Sequence, residues 1–248
     1  MTTKVPFDYA PYSNIVANEG MFSAQFISRL LMNIVAPSSV LDVGCGQGPW
    51  LRVFEQDWGL SDLVGIDGAW VDESKFASRA ATFIAHDLNQ SFNLGRVFDL
   101  VLALEVAEHL EPNSADAFVE SLTRHGKVIA FSAAIPAQGG QNHINEQWPL
   151  YWVDKFRAKG YLPVDCVRRK LWDVPNMLWW YAQNLILFVD QGSAARFGTL
   201  PGHGEAPPLV HPTLFYYRTR EADLSQRSTA ELLGQLAARC RRRLRFGR

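Results

Sequence analysis

Five short apolar runs follow one another along the first half of the chain, at 40–43, 63–66, 82–85, 98–103 and 127–132. Each is a near-continuous block of apolar residues, as expected of strands buried on both faces. Most of the intervals between them are long enough for a helix. Strand and helix alternating in this way predict an α/β fold, a doubly wound parallel sheet with helices on both faces. Two further runs, 161–170 and 184–190, bring the predicted strands to seven.

The flanks read differently. Residues 1–19 contain Pro6 and Pro11 and no clear periodicity, which predicts an irregular arm. Residues 20–35 place Met21, Phe22, Phe26, Ile27, Leu30, Leu31 and Ile34 on one helical face, and Pro37-Ser38-Ser39 ends that helix. A helix is predicted over 148–159, with Pro149 in its first turn and Gly160 as its stop. A short helical turn and Pro175 separate the last two strands. Residues 191–220 are rich in Gly and Pro and predict a surface loop. Ser228-Thr229-Ala230-Glu231 is a capping box opening a terminal helix that carries Leu232, Leu233, Leu236, Cys240 and Leu244 on one side. The expected organisation is therefore an N-terminal arm and lid helix (1–37), one α/β domain (38–190), and a C-terminal loop with a basic helical tail (191–248).

Charge narrows the partners. The net charge is −1, yet the last ten residues hold six arginines and no acid, leaving 18 basic against 25 acidic residues elsewhere. An acidic body does not suit a dedicated nucleic-acid binder, so no nucleic-acid partner is expected. The tail has two readings, a weak contact with an anionic membrane surface or a solvated helix end whose cations complement the dipole. Three separated cysteines with no C-x-x-C pair exclude a disulfide framework and a cysteine zinc site. There is no apolar leader at the N-terminus, and the most apolar stretch, 177–189, is short and interrupted by Gln183 and Asn184. A cytoplasmic location follows as the expectation. No feature of the sequence sets the oligomeric state.

The chemistry begins at Asp42-Val43-Gly44-Cys45-Gly46-Gln47-Gly48-Pro49-Trp50, where the first strand runs into three glycines at spacing two. Glycines are needed where the backbone takes positive φ or where a ligand approaches without a Cβ in the way. The dinucleotide pattern G-x-G-x-x-G would need glycine at position 49, which is proline, so a nicotinamide-dependent oxidoreductase is disfavoured. The second strand ends in Asp67, 19 residues after Gly48. A carboxylate there can accept both hydroxyls of an adenosine ribose. Beyond the third strand Asp87 is placed to accept from an adenine amino group.

With those residues in order, 40–190 resembles the class I S-adenosylmethionine-dependent methyltransferases, and the D-V-G-C-G-x-G loop is the motif that carries the likeness. The resemblance implies a Rossmann-like sheet whose last strand is antiparallel, and S-adenosylmethionine as cofactor. It implies that Gly44, Gly46 and Gly48 flank the amino-acid part of that cofactor while Asp42 supports the loop. It further implies Asp67 on the ribose, Asp87 on the adenine edge with Leu88 against the ring, and Glu105 beside the methionine portion.

The methyl acceptor then belongs near the ends of the fourth and fifth strands. Two neighbourhoods compete there, Glu108-His109 and the stretch Gln141-Asn142-His143-Ile144-Asn145-Glu146. Histidine works as a base near neutral pH, so His143 is the first candidate for general base, with Glu146 to orient it and His109 as a further substrate contact. The competing account of His143 is a helix cap or loop tie, and that of His109 is shape. His143, Glu146 and His109 could together hold a metal, but the paired aspartates of magnesium-dependent sugar O-methyltransferases are missing, so no metal is expected. Trp148, Tyr151, Trp152, Trp172, Trp179, Trp180 and Tyr181 are read mostly as core, with two lining a pocket. The helix over 20–35, preceded by Tyr9, Tyr12 and Asn14, is a candidate lid.

The expected function is O-methylation of a sugar, glycan precursor or related small molecule, a tilt supported by the N-H-I-N-E-Q-W-P-x-Y-W stretch and its likeness to bacterial surface-polysaccharide methyltransferases. The alternatives are N-methylation of an amino sugar or small amine, and a cofactor-binding scaffold without catalysis.

Overall fold

The computed structural model describes residues 13–222, together with Thr229 and Gly234, and side chains from Gly20 onward to Arg220. Apart from Thr229 and Gly234, the capping box and the terminal helix lie outside the described residues, as do the basic tail, Tyr9 and Tyr12. The chain divides into two compact units, 1–209 and 210–248.

In the first unit, seven strands form one sheet: β1 (Ser39–Val43), β2 (Asp62–Asp67), β3 (Thr82–Ala85), β4 (Leu100–Leu104), β5 (Val128–Ser132), β6 (Tyr161–Val164) and β7 (Ile186–Asp190). Their order is β3-β2-β1-β4-β5-β7-β6. The first five are parallel, and β7 runs antiparallel to both β5 and β6. The expected Rossmann-like sheet with an antiparallel last strand is thus present. Strand order reverses between β1 and β4, which opens the crevice where such sheets bind ligands.

The apolar runs are continuous because both faces are covered. In β1, Val40 enters one buried cluster while Leu41 and Val43 enter the other. In β4, Leu100, Leu102 and Leu104 face the first and Val101 and Ala103 the second. The first face is covered by α1 (Ser13–Val35), through Ala24, Ile27, Leu31 and Val35, and by α2 (Pro49–Trp58), through Trp50, Leu51, Val53 and Phe54. The second is covered by α3 (Ala115–His125) and α4 (Pro149–Ala158), where the ring of Phe156 stacks on Phe188 at 3.9 Å.

Four expectations change. The first helix begins at Ser13, so it takes in part of the expected arm. The fourth strand starts at Leu100, because the Asp99 carboxylate turns to accept from Ser38 N, Ser38 Oγ and Ser39 N, tying the start of β1 to β4. The sixth strand stops at Val164, where its proline is tolerated on an edge, and the chain bends into α5 (Arg168–Leu171). The stretch 191–220 is not all loop, since it contains α7 (Ala194–Phe197) and, in the second unit, most of α8 (Pro212–Ala222). Between α5 and β7 lies α6 (Trp179–Asn184).

The bend at α5 is held by Arg168, which is fully buried. Its guanidinium donates to both carboxylate oxygens of Asp165, at 2.8 and 2.6 Å, and to the carbonyls of Gln183 and Pro207. The planar fork satisfies four acceptors that an ammonium could not reach together. Arg168→Met is expected to cost about 3–5 kcal/mol in chemical denaturation, because it strands the Asp165 charge. The Asp165→Asn/Arg168→Met pair is expected to cost less than the single change.

Candidate active site

A cavity of about 670 Å³ opens at the carboxyl ends of β1 and β4. Its walls come from the glycine loop, the turn after β4, the loop after β5, α1 (Gly20, Met21 and Ala24) and α6. Trp179, Trp180 and Tyr181 line it together with Trp50, whose ring meets Tyr181 edge-on at 5.5 Å. Trp152 is core as expected, whereas Trp148 is exposed.

The loop at 44–48 folds because three glycines take left-handed φ, 80°, 52° and 74°. A Cβ on Gly44 would strike Val106 at 2.3 Å, and one on Gly48 would strike the Phe76 ring at 2.7 Å. Gly44 and Gly46 border the cavity, while Gly48 is the N-cap of α2 and faces Phe76. Support for the loop, expected of Asp42, comes from Asp67 instead. Its carboxylate accepts from the amides of Gly46 (2.8 Å) and Gly68 (2.6 Å). Burial raises the Asp67 pKa, and those two bonds offset part of the rise. Asp42 is buried against the cavity, and among the described residues its Oδ2 has no hydrogen-bond partner. Burial first, and then the charge of Asp67, push its pKa up to about 8.

Asp67, Asp87 and Leu88 stand outside the cavity wall, along the ends of β2 and β3. Asp87 is exposed and accepts from Asn89 N and Nδ2, closing its own turn. Leu88 is buried in the second core cluster.

Glu105 sits at the end of β4 with φ 56°, a left-handed value that costs a non-glycine residue free energy. The conformation is held by its amide, which donates to the carbonyl of Ser132 (2.9 Å) and to Ser132 Oγ (3.0 Å). Its carboxylate accepts from Asn184 Nδ2 (3.1 Å) and Gln138 Nε2 (3.1 Å), two residues the sequence did not single out. Burial keeps its pKa raised.

The two acceptor neighbourhoods prove to be one. The amides of Ile144 and Asn145 both donate to the carbonyl of Glu108, at 2.8 and 3.0 Å, and Asn145 Nδ2 donates to the carbonyl of Ala107. The loop after β5 is thereby fastened onto the turn after β4. The rings of His109 and His143 meet edge-on at 4.9 Å. His143 Nδ1 lies 3.0 Å from Glu146 Oε1, and the Glu146 carboxylate also accepts from the amides of Ala137 (2.8 Å) and Gly139 (2.6 Å). Since an ionised carboxylate can only accept there, Nδ1 is the donor of that bond. Gly140 passes directly under the imidazole, and a Cβ on it would lie 2.2 Å from His143 Nε2. Burial, then the neighbouring His143, lower the His109 pKa to about 4.

Glu108 is fully buried and is one of the residues of the cavity wall. The Glu105 carboxylate and the amides of Glu108 and Ala134 are among its polar neighbours. Among the described residues none meets either Glu108 oxygen in hydrogen-bond geometry. Burial, reinforced by the charge of Glu105, holds its pKa well above the carboxylate range. The cavity therefore collects Asp42, Gly44, Gly46, Glu105, His109 and His143 of the expected residues, with Glu146 one bond behind.

A methyltransferase-domain family matches residues 18–160. Among curated proteins none matches the chain. The fold is similar to that of a sugar N-methyltransferase from Streptoalloteichus sp. ATCC 53650, with TM-score 0.55 at 18% identity over 77% of this chain and 97% of that one. It is similar to an S-adenosylmethionine-bound amino pentose methyltransferase from Micromonospora echinaspora, with TM-score 0.56 at 14% identity over 77% and 100%. Magnesium protoporphyrin IX methyltransferase from Synechocystis PCC 6803 gives TM-score 0.52 at 15% identity over 77% and 90%.

The raised pKa of Asp42 has a signed consequence. An acid with a higher pKa folded than unfolded opposes folding once it must ionise, so stability falls as pH climbs from about 4 through about 8. Asp42→Asn is expected to flatten that decline, gaining on the order of 2 kcal/mol at pH 9 and little at pH 5. Denaturant unfolding at the two pH values measures it.

Proposed function

Because the chain belongs to the methyltransferase-domain family, we propose that it transfers a methyl group from S-adenosylmethionine to an oxygen of a small molecule, a sugar or glycan precursor being the favoured class. The observation that carries this reading is one cavity with the glycine loop and a buried acid at one side and the Glu108-His109-His143 group at the other. The unpartnered buried oxygen of Asp42 and the carboxylate of Glu105 suit a donor that carries both an ammonium and a sulfonium cation. Gly44 and Gly46 would flank its amino-acid part, with Gly48 keeping the turn. Asp67 would accept from the ribose hydroxyls, and Asp87 and Leu88 would meet the adenine. When bound, S-adenosylmethionine supplies an electrophilic methyl group.

On the acceptor side, Nε2 of His143 would take the hydroxyl proton, with Glu146 fixing the tautomer and stabilising the charged ring. His109 and the aromatic wall of Trp179 and Trp180 would orient the acceptor. An amine acceptor is the second reading, and the buried Glu108 carboxylate is the observation that favours it, since the N–H of a neutral amine would donate to it and leave the nitrogen lone pair for the methyl group.

Calorimetry with S-adenosylmethionine and S-adenosylhomocysteine tests the donor, and loss of binding in Asp67→Ala is the expected result. No binding of either ligand would sink the proposal. For a hydroxyl acceptor, His143→Ala is expected to lower kcat by about 10²–10⁴-fold with donor affinity unchanged. For an amine acceptor the same variant is expected to retain most of its turnover.

A further inference from the structure

The paired aspartates absent from the sequence argued against a metal, but the folded chain assembles a different donor set. One ligand atom from each of Glu108, His109 and His143 lies within 4.8 Å of the others. We propose that these three residues bind one divalent transition-metal ion in the wall of the cavity, and that the ion holds the acceptor oxygen. The inference rests on the reading of this cavity as the acceptor site.

Four observations support it. Both Glu108 oxygens are buried and meet no donor in full hydrogen-bond geometry among the described residues, with the Glu105 carboxylate and the amides of Glu108 and Ala134 as polar neighbours, an arrangement that costs free energy unless a cation or a proton answers it. A second carboxylate, Glu105, stands beside it, and no ion pair among the described residues reaches either. His143 is already arranged as metal-binding histidines are, with Nδ1 against the Glu146 carboxylate and Nε2 left to coordinate. The two loops that carry the donors are fastened by the paired bonds to the Glu108 carbonyl, so the set exists before any ion arrives.

The donor chemistry selects the ion. Bonds of about 2.0–2.2 Å to two imidazoles and a carboxylate would draw these atoms slightly closer together. Two nitrogens and one oxygen suit Mn²⁺, Fe²⁺, Co²⁺ or Zn²⁺ and disfavour Mg²⁺ and Ca²⁺, which prefer all-oxygen shells. All three residues border the cavity, so an ion held by them would lie beside the space in which the acceptor is read to sit. A hydroxyl held there would become more acidic; with the ion bound, His143 Nε2 would serve as a ligand in place of the base role read for the metal-free site, and the proton would leave to solvent.

The test is titration of chelator-stripped, full-length protein with Mn²⁺, read by the loss of the free-ion magnetic resonance signal, and with Co²⁺, read by visible absorption. One ion per chain and a Co²⁺ spectrum with imidazole ligation are expected, with Mg²⁺ competing weakly. His109→Ala and His143→Ala are expected to abolish saturable binding, and Glu146→Gln to weaken it by about 10–100-fold. Thermal unfolding of each variant separates lost ligation from lost fold, and the wild-type Co²⁺ spectrum decides independently of any variant. No binding by the wild type, a spectrum without imidazole ligation, or binding unchanged in folded His109→Ala and His143→Ala would overturn the proposal. Binding of S-adenosylhomocysteine is a separate measurement, so failure of the metal site and failure of the donor reading are told apart.

Discussion

The carbonyl of Glu108 accepts two amides at once, and that junction joins the turn after β4 to the loop after β5. A carbonyl oxygen has two lone pairs, and here both are used by consecutive residues of a loop from the next strand. The parallel pairing of β4 with β5 brings their carboxyl ends together, but adjacency alone would leave two independent loops. The pair of hydrogen bonds converts them into one body, with His109 on one side of the seam and His143 on the other. Glu146 does the same inside its own loop, gathering two amides and an imidazole around a single carboxylate.

This junction also explains what was legible in the sequence. The five parallel strands could be placed because each is an unbroken apolar run, the pattern that burial on both faces demands. The pairing of His143 with Glu146 could be anticipated because the two are three residues apart. Contact between His143 and His109 could not, since it depends on main-chain bonds that leave no trace in residue type. Glu108-His109 is legible as a neighbourhood, but the complete burial of the Glu108 carboxyl is not, because it depends on the loop that folds over it. The E-x-x-E-H spacing was the available signal, because in the turn that follows β4 it sends two carboxylates and an imidazole toward the same cavity.

Other differences are tertiary in origin. Residues 161–170 carry enough Tyr, Leu, Val and Cys to read as a long strand. Arg168, buried with four acceptors around it, bends the chain after Val164 instead. That arginine also reaches the carbonyl of Gln183, whose side chain donates to Gln138 Oε1 and Asn184 Oδ1. Gln138 and Asn184 grip Glu105 in turn. A charge on the far side of α6 is thereby connected, bond by bond, to an acid in the cavity. The division of labour between Asp42 and Asp67 is likewise set by geometry, since only Asp67 lies within reach of the Gly46 and Gly68 amides.

The left-handed backbone at Glu105 has one more consequence. Most carboxylates on a cavity wall can relax by rotating away from a like charge into water. Glu105 has little such freedom: its main chain is pinned by both acceptors of Ser132, and its side chain is held by two amides at fixed positions. The direction of this acid is written into the peptide backbone, at a standing conformational cost of about 1–3 kcal/mol. The cavity cannot disperse its negative potential by turning this acid away, so a cation entering it meets a field already aimed.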